Sequence, residues 1–491
     1  METENKDGLL AQEKIENKDV IDTKKLETND EGDDFEGYSS REKFQLYVYF
    51  FFMGVINHLG TILVMTGGRN LAHELKMDNY LTIYTSTSII FALITRILNS
   101  KLFIKEKYRI RILIVCCCMV IGYFIMFFIL LLHKYALQNY NAACFVFSFI
   151  PCFFLGASYA LGESAMLAYL RYFPKTLISG WSSGTGISGL LGGTLNFVSQ
   201  LSSVSALQYI YLALSVLGPI YLFLFRLTFK ILTNYETRMG DKKEKLTKEM
   251  SPVSNEENDN QGETNTFNTA PNSIKVLDIN AMNKMNENNK SLSWENFKKV
   301  MSICGKVLIN LGCIYFLQFF CNNTLTVRCC TRVDMTFLPT VCEDNKKLVR
   351  KGKFEFVNLF FQIGMFTSKT FIKLVRKIKK ITVYTIAISV INMIYILEYG
   401  TGFMAWGNFI WLELILGFFG GGTYAGGFYT ILNSDQIPDD YKELTVNVAT
   451  LFNDTGTFLS GIFGFIFLNY WFDKDTPFEG EEIVSDIPCP Q

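Results

Sequence analysis

Glu163, Glu413 and Asp454 are carboxylates set inside long apolar runs, and His58 is a histidine in the middle of another. Placing an ionised side chain at the centre of a membrane helix costs about 2.5–3.5 kcal/mol on insertion scales, so each is by default a candidate for a proton or substrate pathway. Glu163, Asp454 and His58 are the proton-coupling candidates, groups suited to binding and releasing a proton in an acidic compartment. Each has a plainer reading. Glu163 also reads as a helix-end charge paired with Arg171 or Lys175, and His58, beside Asn57, as a hydrogen bond to a neighbouring helix. Lys369, near the end of a further run, either snorkels toward the surface or meets an anionic group of a substrate. Trp181 is followed by Ser182, Ser183 and Thr185, hydroxyls that either line a polar path or bond their own helix carbonyls. Tyr424, inside a glycine-rich stretch, joins Ser182, Ser183, Thr185 and Lys369 as a substrate-binding candidate, with packing as its alternative. No His or Cys spacing matches a metal site and no nucleophile is paired with a base, so no metal, cofactor or enzymatic chemistry is expected.

The elements that must hold these residues are membrane helices. The 491 residues include 44 Phe and 24 Tyr, and the 19% that are charged are gathered in blocks. Between the blocks lie apolar runs of about 18–25 residues, the length that crosses ~30 Å of hydrocarbon. Spans are predicted at 44–66, 80–98, 111–132, 141–163, 178–200, 205–227, 300–321, 354–372, 381–399, 403–430 and 445–470. The fold class is therefore an all-α polytopic membrane protein of about eleven transmembrane helices. Its expected parts are a disordered acidic tail (1–40), a six-helix bundle (41–228), a disordered linker (229–293), a five-helix bundle (294–472) and an acidic C-terminal tail (473–491). A formal net charge of zero excludes nucleic acid as a partner. Membrane lipid, a small-molecule substrate and protons remain, and nothing in the chain names protein partners for the tail or linker.

Basic residues set the expected orientation. Arg96, Lys101, Lys105, Lys107, Arg109 and Arg111 flank the second loop, and Lys369, Lys373, Arg376, Lys377, Lys379 and Lys380 the eighth, which makes these loops cytoplasmic. The N-terminal tail and the linker share that side, and the acidic C-terminal tail faces the lumen. The seventh loop conflicts, because it holds Arg328, Arg332 and five lysines or arginines from 346 to 353 on the luminal side. Read as a luminal loop, it also offers Cys321, Cys329, Cys330 and Cys342 for disulfides and an Asn322-Asn323-Thr324 acceptor for a glycan.

Two strings return in the same order. LGASYALG at 155–162 reappears as GGGTYAGG at 420–427, and SGLLG at 188–192 as SGIFG at 460–464. One membrane unit written twice predicts two pseudo-symmetric halves with a substrate site between them. Gly184, Gly186 and Gly189 match a dinucleotide-binding glycine pattern, but that pattern needs a strand before it, and here it lies inside an apolar helix. Gly180, Gly184, Ser188 and Gly192 instead form a small-residue stripe for close helix approach, as do Gly456, Ser460 and Gly464.

The segment GESAMLAYLRYFPKTLISGWSSGTGISGLLGG at 162–193 resembles the battenin family, with WSSGTG followed by GLLG as its specific part. FFQIGMFTSKT, GGGTY and NDTGTFLSG in the second half are similar to the same family. The resemblance covers most of the membrane helices and leaves out the tail, linker and seventh loop. It implies a major-facilitator-like fold, residence in lysosomal or vacuolar membranes, and small-molecule efflux with a role in luminal pH balance. Glycerophosphodiesters are the substrate class it suggests, with basic amino acids as the older proposal. By position it points to Glu163, Ser182, Ser183, Thr185, Lys369 and Asp454. Two departures stand out. Gln318 occupies a place where relatives can carry an acid, and Cys489 is third from the end, so the CaaX prenylation pattern found in some relatives is lacking, which accords with a luminal terminus. A non-transporting scaffold or trafficking protein, acting through tail and linker, is the alternative.

Overall fold

The computed structural model describes residues 38–75, 81–136, 140–201, 205–250, 287–332, 335–338, 340–343, 347–350, 352–375, 381–467 and 482–485. The expected disorder of 1–37, the middle of the linker (251–286) and most of the C-terminal tail lie outside the described residues.

The described chain is built of helices. The first half contains α1 (Ser40–Glu74), α2 (Leu81–Leu98), α3 (Tyr108–Tyr135), α4 (Asn141–Phe147), α5 (Phe149–Tyr169), α6 (Ile178–Leu201), α7 (Ser205–Leu214) and α8 (Leu217–Met250). The second half contains α9 (Trp294–Phe320), α10 (Val327–Arg332), α11 (Lys353–Thr370), α12 (Ile372–Val375), α13 (Ile381–Thr401), α14 (Trp406–Asn433) and α15 (Asp439–Ile466). Local chemistry sets several ends. Ser293 caps α9 by accepting from the Asn296 amide at 3.2 Å, and Gly352, at φ 89°, opens α11 from a left-handed conformation that favours glycine. Pro438 precedes α15, whose first turn carries Asp439 and Asp440 where the helix dipole favours negative charge.

Among the described residues, seven helical stretches are long and apolar enough to cross a membrane, including 108–135, 208–235 and 294–330. Helices α6, α11 and α15 are not among the seven. Their glycine, hydroxyl and charged residues lower their hydropathy, and all three line the central cavity, α6 packed on α11 and α15 on α2. Several spans also differ from their predicted limits. Helix α8 continues to Met250, past the expected linker start, and the seventh span runs on through a π-helical turn (Cys321–Thr326) into α10.

The two halves repeat one pattern of neighbours. In the first half α1 lies on α6 and α2 on α5; in the second α9 lies on α15 and α11 on α14. Between halves, α2 meets α15 and α6 meets α11, two contacts that interchange when the halves are exchanged. The repeated strings fall on equivalent helices, LGASYALG on α5 and GGGTYAGG on α14, SGLLG on α6 and SGIFG on α15. Other glycines on α6 and α15 bring backbones into contact. A Cβ on Gly184 would sit 2.0 Å from the Phe51 carbonyl oxygen of α1, and one on Gly456 would sit 2.2 Å from that of Gly312 on α9. The glycine pattern on α6 thus serves two neighbours, with Gly180 and Gly184 facing α1 and Gly186 and Gly189 facing α11.

A small sheet lies at one end. Strands β1 (Thr340–Glu343) and β2 (Lys347–Arg350) pair antiparallel, and β3 (Glu482–Ser485) adds antiparallel to β2. Strand β2 lies between α10 and α11 in the chain, at the end of the bundle where α15 finishes. The described spans number about eleven.

Candidate functional site

The fourth and eleventh spans deliver carboxylates to a single arginine. Arg96, near the end of α2, donates from Nη2 to Glu163 Oε2 of α5 at 2.5 Å and from Nε to Asp454 Oδ2 of α15. Nη1 adds the Ala160 carbonyl at 3.3 Å and Ser164 Oγ at 3.1 Å. All three charged residues are buried, Arg96 and Glu163 at 1% and Asp454 at 3% exposure. An unpaired charge in such surroundings is costly, so the guanidinium and the two acids hold one another in place.

The ion pair is extended by polar neighbours. Glu163 Oε1 accepts from Tyr424 Oη of α14 at 2.6 Å and lies 3.3 Å from His58 Nε2 of α1. Trp181 Nε1 donates to Tyr424 Oη at 3.3 Å. Lys369 of α11 stands over the Tyr424 ring, its Nζ 4.5 Å from the centroid, and donates to Thr185 Oγ1 of α6 at 3.2 Å. Two cations and two carboxylates from both halves therefore meet in one cluster, with formal charges that balance.

A cavity of about 200 Å³ opens beside this cluster, lined by His58, Thr185, Lys369, Tyr424 and Asp454 among others. It runs from the cluster toward the end of the bundle where α1 and α15 finish, past Met65, Phe354 and Ser460. The opposite end of the bundle holds a second ionic cluster. Arg111 Nη1 donates to Glu443 Oε1 at 2.5 Å, and Tyr108 Oη and Asn289 Nδ2 donate to Glu443 Oε2 at 3.1 and 2.9 Å. Asn289 lies at the end of the linker and also accepts from Arg171 Nη1 at 3.3 Å. The neighbouring Leu292 amide donates to the Ser100 carbonyl at 2.9 Å.

A family model described as CLN3 protein matches residues 48–472. The chain belongs to the CLN3 protein family. Among its relatives is Battenin of Dictyostelium discoideum, 26% identical over 424 residues, which span 85% of this chain and 92% of that protein. Protein BTN1 of Candida glabrata is 23% identical over 319 residues, 62% of this chain and 70% of that protein. Battenin of Canis lupus familiaris is 23% identical over 307 residues, 62% and 60% of the two chains. Among solved structures, a D-xylose-proton symporter superposes with a TM-score of 0.52 over 87% of this chain and 91% of its own, at 12% identity. A POT family transporter in complex with 5-aminolevulinic acid gives 0.50 over 89% and 92%, also at 12% identity. The fold of this CLN3-family chain is thus the major-facilitator-like arrangement of two pseudo-symmetric halves in a multi-pass membrane protein.

The cavity and the candidate residues coincide only in part. Thr185, Lys369, Tyr424, Asp454 and His58 line it, and Glu163 lies directly behind Tyr424 and Arg96. Ser183 Oγ instead bonds the Ser179 carbonyl of its own helix at 2.6 Å, and the buried Ser182 Oγ has no partner among the described residues. Glu413 is placed elsewhere in the second half, where Thr326 and Tyr395 donate to its Oε1 at 2.5 and 2.8 Å. Arg96 and Arg111, read from the chain as loop charges that set topology, are fully enclosed ion-pair partners. A visible signal pointed to them, since two buried carboxylates on different helices require a cation between them. The reading of 321–332 as a luminal loop also fails. These residues continue a helix, Cys321 and Cys330 are buried free thiols, and Cys329 Sγ donates to the Tyr395 carbonyl at 3.6 Å. Asn322 is buried and bonds Asn358, which takes it out of the exposed loop that a glycan acceptor requires.

Proposed function

We propose that this protein is a transporter of the lysosomal or vacuolar membrane that exports small anionic metabolites, glycerophosphodiesters foremost, together with protons, and so influences luminal pH and basic amino acid balance. The observation that carries the reading is a cavity between two halves bordered by a lysine next to a balanced arginine–dicarboxylate set. An anion arriving at Lys369 tips this cluster to net negative. At an effective dielectric of about 20, two like unit charges 4 Å apart repel by about 4 kcal/mol, so the arrival favours protonation of a nearby carboxylate. Asp454 borders the cavity and is the acid we assign to that proton. Glu163, held by Arg96, Tyr424 and His58, positions the cluster and passes the charge change to both halves. Thr185 and Tyr424 orient the bound anion.

With the N-terminus and linker cytoplasmic and the C-terminal tail luminal, the cavity faces the lumen and the Glu443 cluster closes the cytoplasmic side. Rocking of the halves about the fixed site then gives alternating access. An acidic lumen drives anion and proton in together, and both leave into the neutral cytoplasm. The test is flux of labelled glycerophosphodiester into proteoliposomes under a pH gradient. Lys369→Ala is expected to lose at least tenfold in rate while remaining monodisperse, and wild-type flux in that variant overturns the assignment. Deleting 251–286, which leaves α8 and the packed Asn289 in place, is expected to preserve flux.

A further inference from the structure

The face of α11 that meets the cavity carries more than its lysine. Asn358, Gln362, Met365 and Lys369 follow one another at spacings of four, three and four, which keeps side chains on one face of a helix, and all line the cavity. At 1.5 Å per residue, Gln362 lies about 10 Å and Asn358 about 16 Å along the axis from Lys369. The two amides differ from the lysine in having hydrogen-bonding capacity to spare. Asn358 Oδ1 accepts from Asn322 Nδ2 at 3.0 Å, while its own Nδ2 meets no acceptor among the described residues. Gln362 makes no side-chain hydrogen bond among the described residues, although it is buried.

Packing, not a partner, fixes this glutamine. Its Oε1 rests on Gly189 of α6, where an added Cβ would come within 2.1 Å. A buried polar group left without a partner is unfavourable, so a carboxamide held in this way is completed by whatever the cavity contains. The opposite wall is the π-helical turn Cys321–Thr326, which brings Asn322 and Thr324 to the same end of the cavity. Widened turns of this type recur at functional sites.

We propose that Gln362 and Asn358 form a second, uncharged recognition end of the cavity, which takes the hydroxyl groups of an elongated anion whose charge rests at Lys369. The inference rests on the anion reading above and adds what the far end of the ligand must be. A carboxamide both donates to and accepts from hydroxyls, and a site built for such groups rejects an analogue that lacks them. The neutral end thereby separates long hydroxylated anions from short or purely apolar ones that satisfy the lysine alone.

Purified full-length protein in nanodiscs is titrated with glycerophosphoglycerol and with dipropyl phosphate, a diester of matching length without hydroxyls, and ligand-induced thermal shifts give apparent affinities. The hydroxylated diester is expected to bind about tenfold more tightly to the wild type. In Gln362→Met and in Asn358→Ala that advantage should fall to about threefold or less, with dipropyl phosphate affinity unchanged. Equal affinities for the two diesters in the wild type overturn the proposal without any variant having to fold, and leave the anion reading standing. Undiminished discrimination in both variants overturns it as well. Absence of binding by either phosphate removes the anion reading, and this proposal with it.

Discussion

Two ionic clusters join the halves of this molecule, and they differ in what surrounds them. Both take an arginine from the first half and a carboxylate from α15, Arg96 with Asp454 in one and Arg111 with Glu443 in the other. Asp454 borders a cavity, and its cluster includes a lysine whose partners are a hydroxyl and an aromatic ring. Glu443 is fully enclosed, with both oxygens committed to Arg111, Tyr108 and Asn289. An arginine–carboxylate pair thus borders a cavity in one cluster and is fully enclosed in the other, and on the proposed function the first serves exchange and the second closure.

Breaking the enclosed pair should have the largest effect. Glu443→Gln leaves Arg111 buried without its counter-charge, and one-sided removal of this kind costs about 3–5 kcal/mol. Thermal unfolding in detergent is expected to show that loss. The double variant Arg111→Met, Glu443→Leu should recover most of it, because apolar replacements of both partners are often neutral. A Glu443→Gln protein no less stable than Asp454→Asn would end the distinction between the clusters.

At the cavity the effects should divide between stability and coupling. Glu163→Gln weakens charge-assisted bonds from Arg96 and Tyr424, each of a class worth about 1.5–3 kcal/mol. Asp454→Asn, beside the cavity, should fold with a smaller loss and carry anion at a rate that no longer responds to an imposed pH gradient. Gradient-dependent flux in Asp454→Asn would move the proton to another group.

These contrasts explain what could be read from the chain. The repeated glycine strings announced equivalent helices because backbone-to-backbone contact, as at Gly156 with Ser88 and Gly421 with Met365, excludes larger residues wherever it occurs. Glu163 and Asp454 were legible because acids are rare in apolar runs. Arg96 and Arg111 were misread, since a basic residue near the end of a run looks the same whether it snorkels into water or turns inward to a carboxylate on a distant helix. Asn322 was misread because a π-helical turn carries the helix past the point where hydropathy falls. Gln362 lies inside the FFQIGMFTSKT string, but an uncharged amide there or at Asn358 does not stand out, and only the spacing from Lys369, once α11 is placed, brings the two to the cavity.

The helix contacts that carry α15 sharpen the comparison further. Gly456 lies two residues from Asp454 and thirteen from Glu443. A Cβ there meets the Gly312 backbone, and such overpacking costs about 1–3 kcal/mol. Gly456→Ala should therefore slow flux more than it loosens the enclosed cluster, as read by the unfolding temperature of the Glu443→Gln background. Gly305→Ala is the control, since its nearest neighbour is Met301 Cε at 3.5 Å and alanine favours a helix by about 0.5–1 kcal/mol.

The smallest effect belongs to an ion pair outside both clusters. Arg238 of α8 reaches both oxygens of Glu42 at 2.9 Å, yet its side chain is half exposed. Water and salt screen such a pair, and exposed bridges are worth about 0.2–1 kcal/mol. Arg238→Ala is expected to fall in that range and to lose even this difference in 0.5 M salt, while Glu443→Gln keeps its cost there because an enclosed pair is screened far less. Good geometry is common to the two pairs, so their difference measures enclosure. If Arg238→Ala were as damaging as Glu443→Gln, burial would not be what ranks the ionic contacts of this fold, and the contrast between a sealed cluster and an exchanging one would lose its physical basis.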